Sequence, residues 1–316
     1  MALSKILPAS QEQYAGARNL IINGAMQVWN RTTSVTTSSS GTFSADRWAS
    51  NAGASTVFSR STDVPTGFQY SLSVAGATYT GIRTRIEAAD CKRIAGQEVT
   101  FSWYAKRTAG TGDMKTYLGY ASAEDNFGTV TLIEEVVNTA SASVSSDWAR
   151  YTYTITLPAN AANGLHFVVF NGSASGAVTT LYTGVQLEVG STATPFEHRS
   201  YADTIRQCRR YFSRYTAAST AAAFLNITVW SLTTKYGKLE FPVEMRTTPT
   251  FSVSSNSHFT VLVAGNTTTP TLFTLNAGDG NYAELNVGTA NFAPAGQSGW
   301  IRIGNTSGYA DLDAEL

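Results

Sequence analysis

Acid–base and metal chemistry need carboxylates, imidazoles or thiols at matched spacings, so these residues come first. Glu134 and Glu135 are adjacent. On a strand, neighbours face opposite sides, so they do not form the facing pair that glycoside hydrolysis requires. Glu87 and Glu188 are far apart in sequence, and a solvated strand face is the commoner setting for such residues. His166, His198 and His258 stand in no metal or nucleophile motif. No glycine-rich phosphate loop is present. Cys91 and Cys208 form no CxxC pair and signal neither a disulfide framework nor a zinc site. The expectation is a protein that is not an enzyme and has no cofactor and no metal site.

Binding chemistry is better represented. A neutral polysaccharide is held by ring faces together with hydroxyl, amide and guanidinium hydrogen bonds on a shallow surface. Strands of the first half offer those groups on their polar phases: Arg83, Arg85, Glu87, Tyr104, Tyr182, Gln186 and Glu188. These form the candidate carbohydrate-binding set. Trp48 and Trp103 are assigned to the core, Trp103 because it falls on the apolar phase of its strand. A separate cluster, Leu3, Ile6, Leu7 and Tyr14, spaces apolar residues along a polar N-terminal tail and is the candidate anchoring segment.

The elements that position these residues alternate with period two. Val99, Phe101, Trp103 and Ala105 share one face, against Thr100, Ser102, Tyr104 and Lys106. Ile82, Thr84 and Ile86 alternate with Arg83, Arg85 and Glu87. Leu181, Val185, Leu187 and Val189 alternate with Tyr182, Gln186 and Glu188. Such runs are half-buried strands, and the turn clusters between them predict an antiparallel all-β sandwich. Ser200 and Asp203 have capping-box spacing, and Ile205, Cys208, Tyr211 or Phe212, and Tyr215 follow at helical intervals. The expected organisation is a tail at 1–18, a β domain at 19–198, a helical hinge at 199–214 and a smaller β domain at 215–316.

Composition bounds the function. Of 316 residues only 14% are charged, while 43% are hydrophobic and 11% aromatic. Ser and Thr supply roughly a quarter of the chain, far above ordinary usage. Apolar content of this size builds a core and excludes a disordered chain. The 22 basic residues balance the 22 acidic ones. Nucleic acid and anionic membrane both call for a basic excess, so neither is an expected partner. No apolar run approaches the length of a membrane span, and Pro8 with Gln11 to Gln13 interrupts any signal-peptide core. The expectation is synthesis in the cytoplasm without membrane insertion.

Several collinear segments resemble those of phage tail-fibre and virion-surface proteins with a carbohydrate-binding-module-like jelly roll. They are Arg18 to Arg31 (RNLIINGAMQVWNR), Ala45 to Trp48 (ADRW), Gly184 to Tyr201 (GVQLEVGSTATPFEHRSY), Gln207 to Phe212 (QCRRYF) and Phe241 to Phe251 (FPVEMRTTPTF). The resemblance implies an N-terminal jelly-roll β-sandwich, a smaller C-terminal β-sandwich, a short joining helix and frequent trimerisation. It implies a virion structural protein, a tail fibre or receptor-binding subunit, that engages host surface polysaccharide. Its tail would dock on other phage structural proteins. A capsid decoration or head-fibre protein with the same jelly roll is the alternative, and a glycan-degrading enzyme a third. Related sugar-binding modules often place an aromatic and an acid after Asn-Gly beside a structural calcium. Here Ala25, Met26 and Gln27 follow Gly24, so the acid is missing and no cation is expected there.

Overall fold

The computed structural model describes residues 18–77, 79–136, 144–174, 176–217 and 222–316. Leu3, Ile6, Leu7 and Tyr14 lie outside them. The chain divides into two compact units, Met1–Ile205 with Leu316, and Arg206–Glu315.

The first unit is a jelly-roll β-sandwich. Its described strands are β1 (Ser34–Thr37), β2 (Ala49–Asn51), β3 (Thr56–Ser61), β4 (Ser71–Gly76), β5 (Gly81–Ile86), β6 (Glu98–Ala109), β7 (Gly112–Ala123), β8 (Asn126–Val136), β9 (Ala149–Thr156), β10 (Leu165–Ala174) and β11 (Val178–Val189). They form a six-stranded sheet, β1-β3-β4-β11-β6-β9, and a five-stranded sheet, β2-β5-β10-β7-β8. A short helix, α1 (Ala88–Cys91), follows β5. The alternation in β6 works as read: Val99, Phe101, Trp103 and Ala105 are fully buried. Phe101 of one sheet stacks on Phe167 of the other at 4.5 Å between ring centroids, and Trp103 tilts against the same ring at 5.9 Å. Burying a large side chain of this kind supplies about 1.5–3 kcal/mol each, which holds the layers together.

The helix α2 (Tyr201–Arg209) has its expected cap. Ser200 Oγ accepts a hydrogen bond from the Asp203 backbone N–H at 3.1 Å. It stops earlier than the helical spacing implied. Phe212, Arg214 and Tyr215 belong to β12 (Phe212–Thr216), the first strand of the second unit.

That second unit continues with β13 (Ala222–Val229), β14 (Thr234–Glu240), β15 (Thr250–Val253), β16 (Phe259–Val263), β17 (Asn266–Thr268), β18 (Leu272–Gly278), β19 (Tyr282–Gly288), β20 (Ser298–Ile303) and β21 (Tyr309–Asp313). A seven-stranded sheet, β17-β16-β20-β13-β14-β19-β18, faces a three-stranded sheet, β12-β21-β15. Their shared core holds Leu225, Ile227, Val261, Leu285, Ile301 and Leu312. Among the described residues, no helix is long and apolar enough to cross a membrane.

Candidate functional site

The residues expected to share a sugar-binding face are divided between the two sheets of the first unit. Tyr104 lies on β6, and Tyr182, Gln186 and Glu188 on β11, all in the six-stranded sheet. Arg83 and Arg85 lie on β5 in the five-stranded sheet, and Glu87 follows its end at the N-cap position of α1, without a side-chain capping bond. Glu87 is buried, so it is no surface ligand.

Within β11 the period-two reading slips. The register against β6 shifts between Thr183 and Gln186. Gly184 sits there at φ +60°, where an added Cβ would lie 2.7 Å from the rings of Phe68 and Tyr104. This bulge reverses the facing of the strand. Tyr182 therefore opposes Ala105 on the inward phase and is fully buried, correcting its assignment to the polar face. Its hydroxyl is pushed up to about 12, chiefly by burial.

Gln186 and Glu188 do point away from the core, yet they are also buried, because the chain that follows β11 lies across them. Glu188 accepts from the Thr194 N–H at 2.9 Å, the Thr194 hydroxyl at 2.6 Å and Gln186 Nε2 at 2.7 Å. Gln186 Oε1 accepts from the Glu197 N–H at 2.8 Å. Tyr104 is half-buried against Phe68, 5.5 Å away, with the Arg150 guanidinium 5.8 Å over its ring. These groups clasp a segment of the protein and are not an open platform.

Three of the segments that carry the resemblance, Arg18 to Arg31, Ala45 to Trp48 and Gly184 to Tyr201, also meet in one structural knot. Asn19 Oδ1 accepts from the N–H groups of Ile21 and Leu187 at 2.9 and 3.0 Å. Glu197 accepts from the N–H groups of Arg18 and Asn19 at 3.0 and 2.8 Å. Asn23 Nδ2 donates to the carbonyls of Val28 and Asp46 at 3.0 and 2.8 Å, and Trp48 Nε1 donates to the Asn23 carbonyl at 3.0 Å. Asp46, fully buried, accepts from Asn30 Nδ2 at 2.6 Å. Burial raises its carboxyl against the lowering by Arg31 and the Asn30 hydrogen bonds.

The outer face of the five-stranded sheet is different. Ile82, Thr84 and Ile86 turn inward and leave Arg83 and Arg85 on the other side. Register sets two rows across the strands: Arg85, His166 and Gly119 in one, Arg83, Val168 and Tyr117 in the next. Arg85 Nε donates to His166 Nδ1 at 3.4 Å, and its guanidinium lies 4.7 Å over the Phe127 ring. Arg85 Nη1 also donates to the Leu316 main-chain oxygen. Arg47 Nη2 donates to the Arg85 carbonyl at 2.7 Å and adds a third guanidinium. Tyr117 meets the His166 ring edge-on at 5.8 Å.

Positive charge accumulates here. Arg85 is pushed down to about 10, by burial first and then by Arg83 and Arg47. Burial also lowers Arg83. His166 falls to about 3, through burial and then Arg85 and Arg83, so its imidazole is neutral near neutral pH and accepts at Nδ1. Among the described residues, no side-chain carboxylate pairs with Arg83 or Arg85; the main-chain oxygen on Arg85 is that of Leu316. The arrangement offers guanidinium donors and aromatic edges to a polar ligand. Among the described residues, no group of His, Cys, Asp and Glu is placed to hold a metal ion. The side chains of Glu134 and Glu135 lie outside the described atoms. The inward-facing thiol of Cys91 is pushed up by burial, and Cys208 is buried too.

Sequence reasoning named two residues of this face, Arg83 and Arg85, and missed Arg47, Tyr117, Phe127 and His166. Alternation along β5 and β10 announces which residues point outward. It does not announce that these strands are neighbours.

No protein-family model matches the sequence, and no curated protein matches it. Among solved structures, the chain is similar to the CBM22-1 xylan-binding domain of Paenibacillus barcinonensis Xyn10C, at 17% identity and a TM-score of 0.35, over 56% of this chain and 100% of that one. It is similar to the CBM22-1–GH10 modules of Clostridium thermocellum xylanase 10B, at 16% identity and a TM-score of 0.34, over 46% of this chain and 26% of that one. It is also similar to the enzymatically active domain of bacteriophage CBA120 tailspike protein 4, at 17% identity and a TM-score of 0.34, over 55% of this chain and 22% of that one. The chain thus spans about a quarter of the xylanase and tailspike chains. Likeness at this level bears on neither ligand nor activity, and the sandwich stands on its own sheet topology.

Proposed function

We propose that this chain is a non-catalytic glycan-binding protein of a phage virion, a tail fibre or receptor-binding subunit that holds host surface polysaccharide. The observation that carries the glycan reading is the outer face of the five-stranded sheet. There guanidinium groups and aromatic edges stand side by side, and among the described residues no side-chain carboxylate pairs with Arg83 or Arg85. Glycans are bound by such donors and ring faces on a fixed β scaffold. The resemblance of five collinear segments to virion-surface proteins supports the phage assignment. A binding role is favoured over hydrolysis because Glu188 is bonded to Thr194 and Glu87 is buried beyond the other sheet, so neither faces the other across a cleft.

Two measurements test the reading. Gold-labelled antibody on assembled particles locates the chain, and a tail-tip position is expected; head labelling would favour the decoration protein. Purified chain should bind host polysaccharide without releasing oligosaccharide. Release of oligosaccharide would make it an enzyme, and failure to bind would remove the receptor role.

A further inference from the structure

We infer that Arg83, backed by Arg85, receives the carboxylate of an acidic sugar, a uronate or sialate unit of a polysaccharide; this rests on the glycan reading of the same sheet face. The two arginines differ in what the protein gives them. Arg85 is fixed by His166, Phe127 and the Leu316 oxygen. Arg83 is half-buried, yet among the described residues it has neither a hydrogen-bond acceptor nor a counter-charge. Its nitrogens are not among the sealed, unpartnered ones, so a ligand oxygen can reach them, and a partly desolvated guanidinium gains from an anionic partner. Its fork lies beside the backbone of Gly41, where an added Cβ would come within 2.7 Å of Nη2.

The neighbours make the preference for an anion specific. Arg85 stands two residues along the same strand face, and Arg47 is bonded to the Arg85 carbonyl. The group facing Arg85 is a neutral imidazole, which brings no negative charge. A carboxylate matches the guanidinium fork with two parallel N–H···O bonds, and a neutral hydroxyl does not. Tyr117 stands in the Arg83 row two strands away, about 10 Å at ordinary strand spacing. That places an aromatic ring within reach of a sugar next to the one whose acid is held.

The test uses the full chain at fixed, near-physiological salt with four polymers: polygalacturonate, its methyl ester, neutral xylan and dextran sulfate. Wild-type protein should bind polygalacturonate about tenfold or more tighter than the methyl ester, the effect of one charge-assisted pair. Arg83→Gln should abolish that difference and leave binding of the ester unchanged. Arg83→Lys should restore only part of it. Because Arg83 makes no hydrogen bond or ion pair among the described residues, the Gln variant should melt at or above the wild-type temperature, whereas a structural arginine would lower it. Equal affinity for acid and ester, or undiminished acid binding by Arg83→Gln, overturns the inference while the glycan reading stands. Equally tight dextran sulfate binding that survives the substitution overturns it as unspecific charge attraction. Binding to none of the polymers while host polysaccharide is bound overturns the inference alone; failure on host polysaccharide as well removes both readings.

Discussion

Trp103 and Tyr104 are neighbours in β6 with different surroundings. Trp103 is fully buried between Tyr151 and Phe167. Trp103→Ala should cost about 3–5 kcal/mol through lost transfer energy and a cavity. Tyr104→Ala should cost about 1–2 kcal/mol, because the ring packs on Phe68 beneath the clasp, whereas a fully solvated ring would lose less. Denaturant titration of the two variants checks the order; a larger loss for Tyr104→Ala would invert the inside–outside assignment. His166 gives the residue-scale pH prediction. Its folded value, about 3, lies below the ordinary histidine value of about 6.5, so the unfolded state binds more protons between these limits. The stability it contributes is complete above about pH 6.5 and is lost as pH falls toward the folded value. His166→Gln should flatten the acid limb of the stability profile in that window. An unchanged limb would mean that His166 is not held neutral.

At the scale of elements, one bulge decides what half of β11 does. Gly184 lets the strand change phase, Tyr182 turns inward, and Gln186 with Glu188 becomes the buckle of the Thr194 segment. Gly184→Ala should cost about 1–3 kcal/mol, from left-handed backbone strain and the contact with the rings of Phe68 and Tyr104. Glu188→Ala removes a buried charged acceptor and should cost about 1.5–3 kcal/mol or more, with Glu188→Gln milder because it keeps the shape and one acceptor. Thermal melts give the order, and accelerated proteolysis near Thr194 should accompany the loss. If Glu188→Ala melts like wild type, the buckle is not what holds the segment. The strand β12 shows the same dependence on partners. Phe212 to Thr216 pairs with Tyr309 to Asp313, and Arg214 grips Asp311 through Nε–Oδ1 and Nη2–Oδ2 bonds of 2.7 Å each. These bonds, formed across 97 residues, draw into a sheet a stretch whose local spacing is helical.

For the whole molecule, each unit has its own core, so each should survive loss of the N-terminal tail. A chain lacking residues 1–18 should keep both β domains folded, with a small drop in melting temperature from the lost Arg18 bonds to Glu197 and Pro195, and fail to join particles. Full copy number on particles would show that the anchor lies elsewhere. The trimer that the resemblance implies has a physical motive in the second unit. Trp230, Leu232 and Leu272 are exposed at 71%, 51% and 49%. Phe273, Leu275 and Phe292, by contrast, pack partly onto its core. Symmetric closure covers exposed apolar side chains and sheet edges. Light scattering should give three times the 33.8 kDa chain mass. A monomer at micromolar concentration, well folded, would refute the assembly.

The β class was legible in the sequence because the two-residue alternation is a local property. Val99, Phe101, Trp103 and Ala105 face inward in any sheet that β6 joins, and Ser200 caps a helix using atoms three residues away. Arg83 and Arg85 were likewise legible as outward-facing. What they face was not. His166 becomes the neighbour of Arg85, and Tyr117 enters the row of Arg83, only when β5, β10 and β7 are hydrogen-bonded side by side. Likewise, Arg18 to Arg31, Ala45 to Trp48 and Gly184 to Tyr201 are separate motifs in the chain and one hydrogen-bonded knot in the fold. Side-chain phase follows from backbone geometry within a strand. Strand order, register and the reversal at Gly184 follow from pairing across tens to hundreds of residues, where burial and backbone hydrogen bonding outweigh local pattern.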